Sequence, residues 1–269
     1  MAMLRGMRSP PVRITDLCDV SLILPAYNEA ATIASTIRET GCYFRSRGLR
    51  YEIIVAADGG DGTRELALET ARQGEPVRVI GNQERSGKGR GVREAMALAR
   101  GNIAGYADAD NKVPIEEFDK FRPWLSPSLS QRYDVAIGSR SMQESQIERR
   151  QPLYRQLGGK GFGLFMHAVV GLEGITDTQC GFKFFTRAAA REIFSRQQID
   201  GYMFDVEILV LARRLGYGIQ QVPIRWRDDG DSRLALVSGN LRNAIDIFRI
   251  RAGAGRVPGP GGGGQGPGF

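Results

Sequence analysis

From residue 19 onward, short apolar runs alternate with stretches whose apolar residues recur at helical spacing. Val20-Ser-Leu-Ile-Leu-Pro25 reads as a first strand and residues 30–47 as a helix. Tyr51-Glu-Ile-Ile-Val-Ala-Ala57 is a second strand, followed by the turn Asp58-Gly-Gly-Asp-Gly-Thr63 and a helix through Arg72. Further strands are expected at 76–80, 103–107 and 135–137, with a helix over 89–99 between the first two. Strands alternating with helical segments imply βαβ units and a mostly parallel sheet, so the fold class is α/β. Ligands of such sheets sit at the carboxyl ends of the strands. The polar residues fall there: Tyr27, Asn28 and Glu29, then Asp58, then Asp108 and Asp110, then Arg140.

The pattern weakens at both ends. Residues 1–18 are rich in Arg and Pro and read as a flexible lead-in, and 253–269 are dominated by Gly and Pro, a composition too poor in apolar surface to order itself. Residues 19–236 make one domain. Over 237–252 an amphipathic helix is expected, with Leu241, Ala244, Ile245 and Phe248 at helical spacing, Ile247 widening that face and Arg242, Arg249 and Arg251 around it. Such a helix either packs on the domain or lies on an anionic membrane surface.

A net charge of +7 suits an anionic partner, but no basic–aromatic module of nucleic-acid binders is present, so nucleic acid is not expected. Three cysteines, Cys18, Cys42 and Cys180, form no CxxC pair; a reducing, cytoplasmic setting fits, with peripheral contact at the cytoplasmic membrane face left open. No run of 18 apolar residues exists, so no membrane-spanning helix is expected. The one histidine, His167, lies in the Gly-rich apolar stretch 158–167, read as an interfacial helix, and is expected to be packed.

Several constellations carry chemistry. Asp108-Ala-Asp110 follows an apolar strand, and two carboxylates so placed can share a hard cation that also holds a diphosphate. Leu24-Pro-Ala-Tyr-Asn-Glu29 ends the first strand; Pro25 fixes the backbone, Tyr27 offers a flat face for a base and Glu29 can accept from a ribose hydroxyl. Asp58 can accept from a uracil ring nitrogen, while Asp61 or Thr63 caps the following helix. Arg85-Ser-Gly-Lys-Gly-Arg90 lacks the P-loop spacing but is a Gly-flanked cationic loop before a helix, suited to anions through Lys88. Arginines 140, 155 and 233 are forks for a phosphate. Asp205 and Glu207 open a helix, where acids are favoured by the dipole alone, and a spacing of two does not put both on one face.

In order, these segments resemble glycosyltransferase family 2, and most nearly its dolichyl-phosphate β-glucosyltransferase branch. The resemblance covers residues 20–250 and is carried by LPAYNEA, EIIVAADGGDGT, RSGKGRGVREAM, YADADN, AIGSR, ITDTQCGFKFFTRAAA and MFDVEILVLARR. It implies a GT-A fold and an inverting, metal-dependent transfer from UDP-glucose to a polyprenyl or dolichyl phosphate, with Mg2+ or Mn2+ as cofactor. It places Pro25, Tyr27, Glu29, Asp58 and Lys88 around the nucleotide-sugar donor, and Asp108 and Asp110 at metal and diphosphate. Arg140, Arg155 and Arg233 would hold the acceptor phosphate, with Gln179 and Asp205 near the transferred sugar. The chain departs from the family in having Ala57-Asp58 where an acid pair is usual, and in Lys112, which cannot ligate a cation. A phosphate acceptor, largely ionised at neutral pH, needs no general base; a hydroxyl acceptor would need one, with Asp205 and Glu207 the candidates. The competing readings are a family 2 transferase with a soluble acceptor and a non-catalytic nucleotide-sugar or anionic-lipid binding protein.

Overall fold

A computed structural model describes residues 17–126, 133–147, 169–227 and 240–254. Arg155, Arg233, His167 with its Gly-rich stretch, and both expected tails up to residue 16 and from 255 lie outside the described residues.

The expected alternation is present. It runs β1 (Cys18–Tyr27), α1 (Ile33–Ser46), β2 (Tyr51–Asp58), α2 (Thr63–Arg72), β3 (Val77–Ile80), α3 (Lys88–Leu98) and β4 (Gly101–Ala107). A helical turn α4 (Phe118–Phe121) with 3₁₀ turns on either side leads to β5 (Val135–Ser139) and the short β6 (Gln146–Ile147). Then come β7 (Phe182–Thr186), α5 (Arg187–Arg196), α6 (Phe204–Arg214), β8 (Ile219–Pro223), β9 (Arg225–Trp226) and α7 (Asn240–Ala254).

Seven strands form one sheet in the order β3-β2-β1-β4-β7-β5-β8. β1 pairs in parallel with β2 and β4, so its end at Tyr27 lies beside Asp58. β7 is the exception: it runs antiparallel to both β4 and β5, with Ala107 opposite Phe182. Its five residues are all buried, and Lys183 interrupts an otherwise apolar run, which hides the strand from a hydrophobicity pattern. Because β7 is reversed, it is the segment before it, Asp177–Gly181, that reaches the carboxyl edge of the sheet.

The sheet is covered on both faces, as parallel sheets require. Alternation along β1 sends Ile23 to one cluster, with Tyr106, Phe185 and Phe204, and Leu22 and Leu24 to the other, with Phe44, Phe118, Phe121 and Phe184. Each fully buried Leu, Ile or Phe stabilises the fold by about 1.5–3 kcal/mol relative to an exposed one.

The C-terminal helix packs on the domain through one side. α7 inserts Ile247 and Ile250 into the first cluster, while Ile245 and Phe248 stay 46% and 57% exposed. Within the described residues it spans Asn240–Ala254. Among the described residues no helix is long and apolar enough to cross a membrane.

β7 fits against β4 because Gly105 faces Phe184 across the pair; a Cβ there would lie 2.1 Å from Phe184 Cδ1 and 2.7 Å from the Lys183 carbonyl oxygen. Gly105→Ala is therefore expected to destabilise the fold by about 1–3 kcal/mol through overpacking. Urea unfolding checks this as a lowered midpoint with an unchanged slope.

Candidate functional site

The end of β1 and the end of β2 form one side of the site. Pro25 is half-buried and Tyr27 is exposed at the strand end. The Asp58 carboxylate accepts backbone N–H groups from Asn82 (3.1 Å) and Ser86 (2.6 Å), so it pins the loop between β3 and α3. That loop carries Arg85, whose guanidinium lies 4.4 Å over the Tyr27 ring and donates to the Tyr202 hydroxyl at 2.9 Å. One face of Tyr27, read as a platform for a base, thus carries Arg85, and each oxygen of Asp58, read as a partner for a base, accepts one backbone N–H. Glu29 anchors the opposite turn: its N–H donates to Thr63 Oγ1 at 2.9 Å, and its Oε2 accepts from Thr32. Asp61 accepts from Thr63 N–H at 3.1 Å and from Ala30 N–H at 3.0 Å, holding the β1–α1 loop to the start of α2.

The next strand end carries Asp108 and Asp110. Asp108 Oδ1 is 2.6 Å from the Lys88 ammonium and Asp110 Oδ2 is 3.5 Å from that of Lys112. Burial alone would depress the Lys88 pKa, but the Asp108 and Asp205 charges outweigh it and hold the ammonium above the ordinary lysine value. Burial, with Asp108 beside it, raises the Asp110 carboxyl despite Lys112. A Cβ on Gly181 would lie 2.0 Å from Asp108 Oδ2, so only glycine leaves room for that carboxylate. Two carboxylates one residue apart at a strand end are oxygen ligands of the kind a hard cation takes, the rest of its shell being water and phosphate oxygens. Among the described residues no group of three or more His, Cys, Asp or Glu could hold a metal.

The amino end of α3, read as an anion cradle, is closed. The N–H groups of Gly89 and Arg90 donate to the Asp200 carbonyl at 2.8 and 3.3 Å. Arg93 adds a 2.7 Å ion pair to the Asp200 carboxylate. An arriving anion therefore meets the Lys88 side chain and not the helix terminus.

Asp205, expected near the transferred sugar, is buried. It is 3% exposed, and one carboxylate oxygen accepts both the Tyr106 hydroxyl and the Lys183 ammonium, which is itself fully buried. Lys183 also donates to the Cys180 carbonyl at 2.7 Å. Asp205 is thus the counter-ion of Lys183, beneath the carboxyl edge. Glu207 accepts from the N–H groups of Gln198 and Ile199 at 2.9 and 2.8 Å, and is 8% exposed. Neither acid is presented as a general base.

The third side is built around Arg140, just beyond β5. Its Nε and Nη2 donate to the two oxygens of Asp177 at 2.7 and 2.9 Å, a bidentate fork, and Trp226 lies 5.7 Å from the guanidinium carbon. Burial alone would raise the Asp177 pKa, but the Arg140 charge and hydrogen bonds outweigh it and hold the carboxyl below the ordinary range. This pairing therefore contributes stability above the ordinary carboxylate pKa and loses it as pH falls through the lowered one. Gln179 is exposed, two residues on, with its N–H on Asp177 Oδ1 at 3.2 Å. Asp177, Lys183, Tyr106 and Tyr202 were not singled out by the sequence reading, and Arg85 was read only as part of the cationic loop. For Asp177 the signal present was its place in the most specific segment, ITDTQCG; its partner lies 37 positions away.

Comparison with known proteins follows the same lines. A family model described as Glycosyl transferase family 2 matches residues 21–194. A dolichyl-phosphate β-glucosyltransferase of Drosophila melanogaster is 33% identical over 90% of this chain and 77% of its own length. The Homo sapiens protein of that name is 32% identical over 86% of this chain and 74% of its own. Among solved structures, mannosyl-3-phosphoglycerate synthase from Rubrobacter xylanophilus superposes with a TM-score of 0.66 at 20% identity, over 91% of this chain and 78% of that one. Glucosyl-3-phosphoglycerate synthase from Mycobacterium tuberculosis, in complex with Mn2+, UDP and glucosyl-3-phosphoglycerate, gives 0.61 at 22%, over 91% and 82%. The fold is GT-A.

The buried pair has a measurable consequence. Lys183→Met removes the fully buried ammonium that pairs with Asp205 and is expected to cost about 3–5 kcal/mol, because a buried carboxylate loses its ion-pair partner. Lys183→Met with Asp205→Asn should recover much of that loss. Chemical denaturation of the three proteins at pH 7 checks the ordering.

Proposed function

Because this chain belongs to glycosyl transferase family 2 and is a glycosyltransferase, we propose that it transfers glucose, with inversion, from UDP-glucose to a polyprenyl or dolichyl phosphate. One observation carries this reading. The segment Asp177–Gly181 holds Arg140 through Asp177 and makes room for Asp108 at Gly181, with the exposed Gln179 between. This supports a reading in which Arg140 takes an anion on one side of that short stretch and Asp108, through a cation, the diphosphate on the other, with the transferred sugar between them.

In this reading Asp108 and Asp110 hold Mg2+ or Mn2+. The cation supplies charge stabilisation to the departing diphosphate, the main demand on such a site. Lys88 and Lys112 add positive charge at the same place and can shift from their carboxylates to the phosphates as the donor arrives. Tyr27, Arg85 and Tyr202 border the nucleoside. Arg140, with Arg155 and Arg233, holds the acceptor phosphate. That phosphate is largely ionised at pH 7 because its second pKa is near 6, so its oxygen attacks the anomeric carbon without a general base. The sealed environments of Asp205 and Glu207 support this: a hydroxyl acceptor would need a base that neither can provide.

A lipid acceptor requires contact with a membrane. We assign it to α7, where the exposed Ile245 and Phe248 share the surface with Arg249 and Arg251, at the cytoplasmic face. Each such arginine near anionic lipid contributes about 1 kcal/mol, so attachment is peripheral and salt-sensitive.

Two experiments test these statements. In a panel of UDP-glucose and GDP-mannose against a short-chain polyprenyl phosphate, a sugar and a glycerate, mass spectrometry should detect glucosyl polyprenyl phosphate. The product should vanish on chelation, return with Mg2+ or Mn2+, and be absent with Asp110→Ala. Preference for GDP-mannose, full turnover in chelator, or transfer only to a soluble acceptor would each overturn its part. In liposome co-sedimentation, Phe248→Glu should lower the bound fraction on anionic vesicles at low salt by several-fold, and high salt should release the wild type. Equal binding of the two proteins would remove α7 from the contact.

A further inference from the structure

Arg140 is held by more than an ion pair. Asp177 accepts from Nε and Nη2, and its Oδ2 also accepts the backbone N–H of Arg140 at 3.0 Å, fixing the root of the side chain as well as its end. Its Oδ1 accepts the Gln179 N–H, so the carboxylate organises both sides of the same gap. The Trp226 ring is set beside the guanidinium by the pairing of β6 with β9, in which Ile147 is opposite Trp226. The exposures are unequal: the Asp177 side chain is 7% exposed and that of Arg140 is 32%. The carboxylate is the inner partner and the guanidinium the outer one, and a fork made with Nε and Nη2 leaves the Nη1 edge for a ligand.

We infer that Asp177 is a positioning residue that presents Arg140 to the acceptor phosphate, an inference that rests on the acceptor role proposed for Arg140. Charge alone makes the opposite forecast. Asp177 lies behind the phosphate-binding guanidinium and cancels its charge, so its removal would strengthen binding of an anion if field strength were the main contribution. If orientation is the main contribution, removal weakens binding, because the planar fork recognises phosphate only when its edge is aimed, and a long side chain freed from its partner loses that aim. The geometry favours orientation, since three hydrogen bonds from one residue converge on a single buried carboxylate.

Asp177→Asn keeps the shape and removes the charge, so its sign separates the two accounts. We expect its KM for a short-chain polyprenyl phosphate to rise about 10- to 100-fold. UDP binding by calorimetry should change less than about 2-fold, and kcat should fall less than KM rises. Asp177→Glu, which retains the carboxylate on a longer arm, should recover part of the loss. An unchanged or lowered acceptor KM in Asp177→Asn, with UDP binding intact, overturns the inference. Arg140→Ala is measured alongside. If it leaves the acceptor KM unchanged, the acceptor role of Arg140 is what fails; if it raises KM while Asp177→Asn does not, only the positioning inference fails. Thermal unfolding of each variant, with UDP binding as the second check, separates misfolding from misplacement.

Discussion

β7 lies between β4 and β5 and runs against both, and one buried ion pair, Lys183 with Asp205, ties it to its surroundings. Lys183, in the middle of the strand, carries a charge into the centre of the protein, where an unpaired ammonium is not tolerated. Asp205 from α6, the Tyr106 hydroxyl from β4 and the Cys180 carbonyl satisfy it and its partner. The pair therefore ties β7, β4 and α6 together at one point. It lies directly below the carboxyl edge, with Phe204 and Tyr106 each about 6 Å from the Lys88 ammonium. Because β7 enters from that edge, the residues before it arrive there already ordered.

Paired charges recur along this edge. Asp108 has Lys88, Asp110 has Lys112 and Arg140 has Asp177. Each pair lowers the cost of keeping charge in a partly buried place, and each leaves the site close to neutral before a ligand enters. In the function proposed above, a nucleotide sugar would bind by exchange of partners, its phosphate oxygens taking up Lys88 and Lys112 while Asp108 and Asp110 would hold the cation. The Arg140 pair is different in kind, since its carboxylate is the more buried member.

The opposite wall has a mechanical role. Asp58 holds the β3–α3 loop, the loop holds Arg85, and Arg85 bridges Tyr27 and Tyr202. The same Tyr202 segment closes the amino end of α3 through the Asp200 carbonyl and lies over α6, against which α7 packs. The exposed side of α7 is thus only two elements away from the Tyr27–Arg85 side of the site.

What the sequence determined by itself is whatever a few neighbouring residues can specify. The strands and helices of the first half follow from apolar periodicity, and the strand-end positions of Tyr27, Asp58, Asp108 and Arg140 follow from a parallel sheet. The ordered motifs added the family, because their order along the chain is one-dimensional information. The tertiary structure alone decided partnership. Asp205 opens a helix as the pattern says, but whether it faces a sugar or a buried lysine depends on a strand 22 residues earlier. The glycines and cations before α3 have the composition of an anion cradle, yet the Asp200 carbonyl, remote in sequence, occupies the N–H groups. Asp177 carried no sign of its partner, since 37 residues separate it from Arg140 and the antiparallel pairing of the following strand, β7, with β5 is what brings the two together. A charged side chain's role is set by the nearest opposite charge in space. Local sequence fixes which way such a side chain leaves the backbone, and only the closed sheet fixes what it meets.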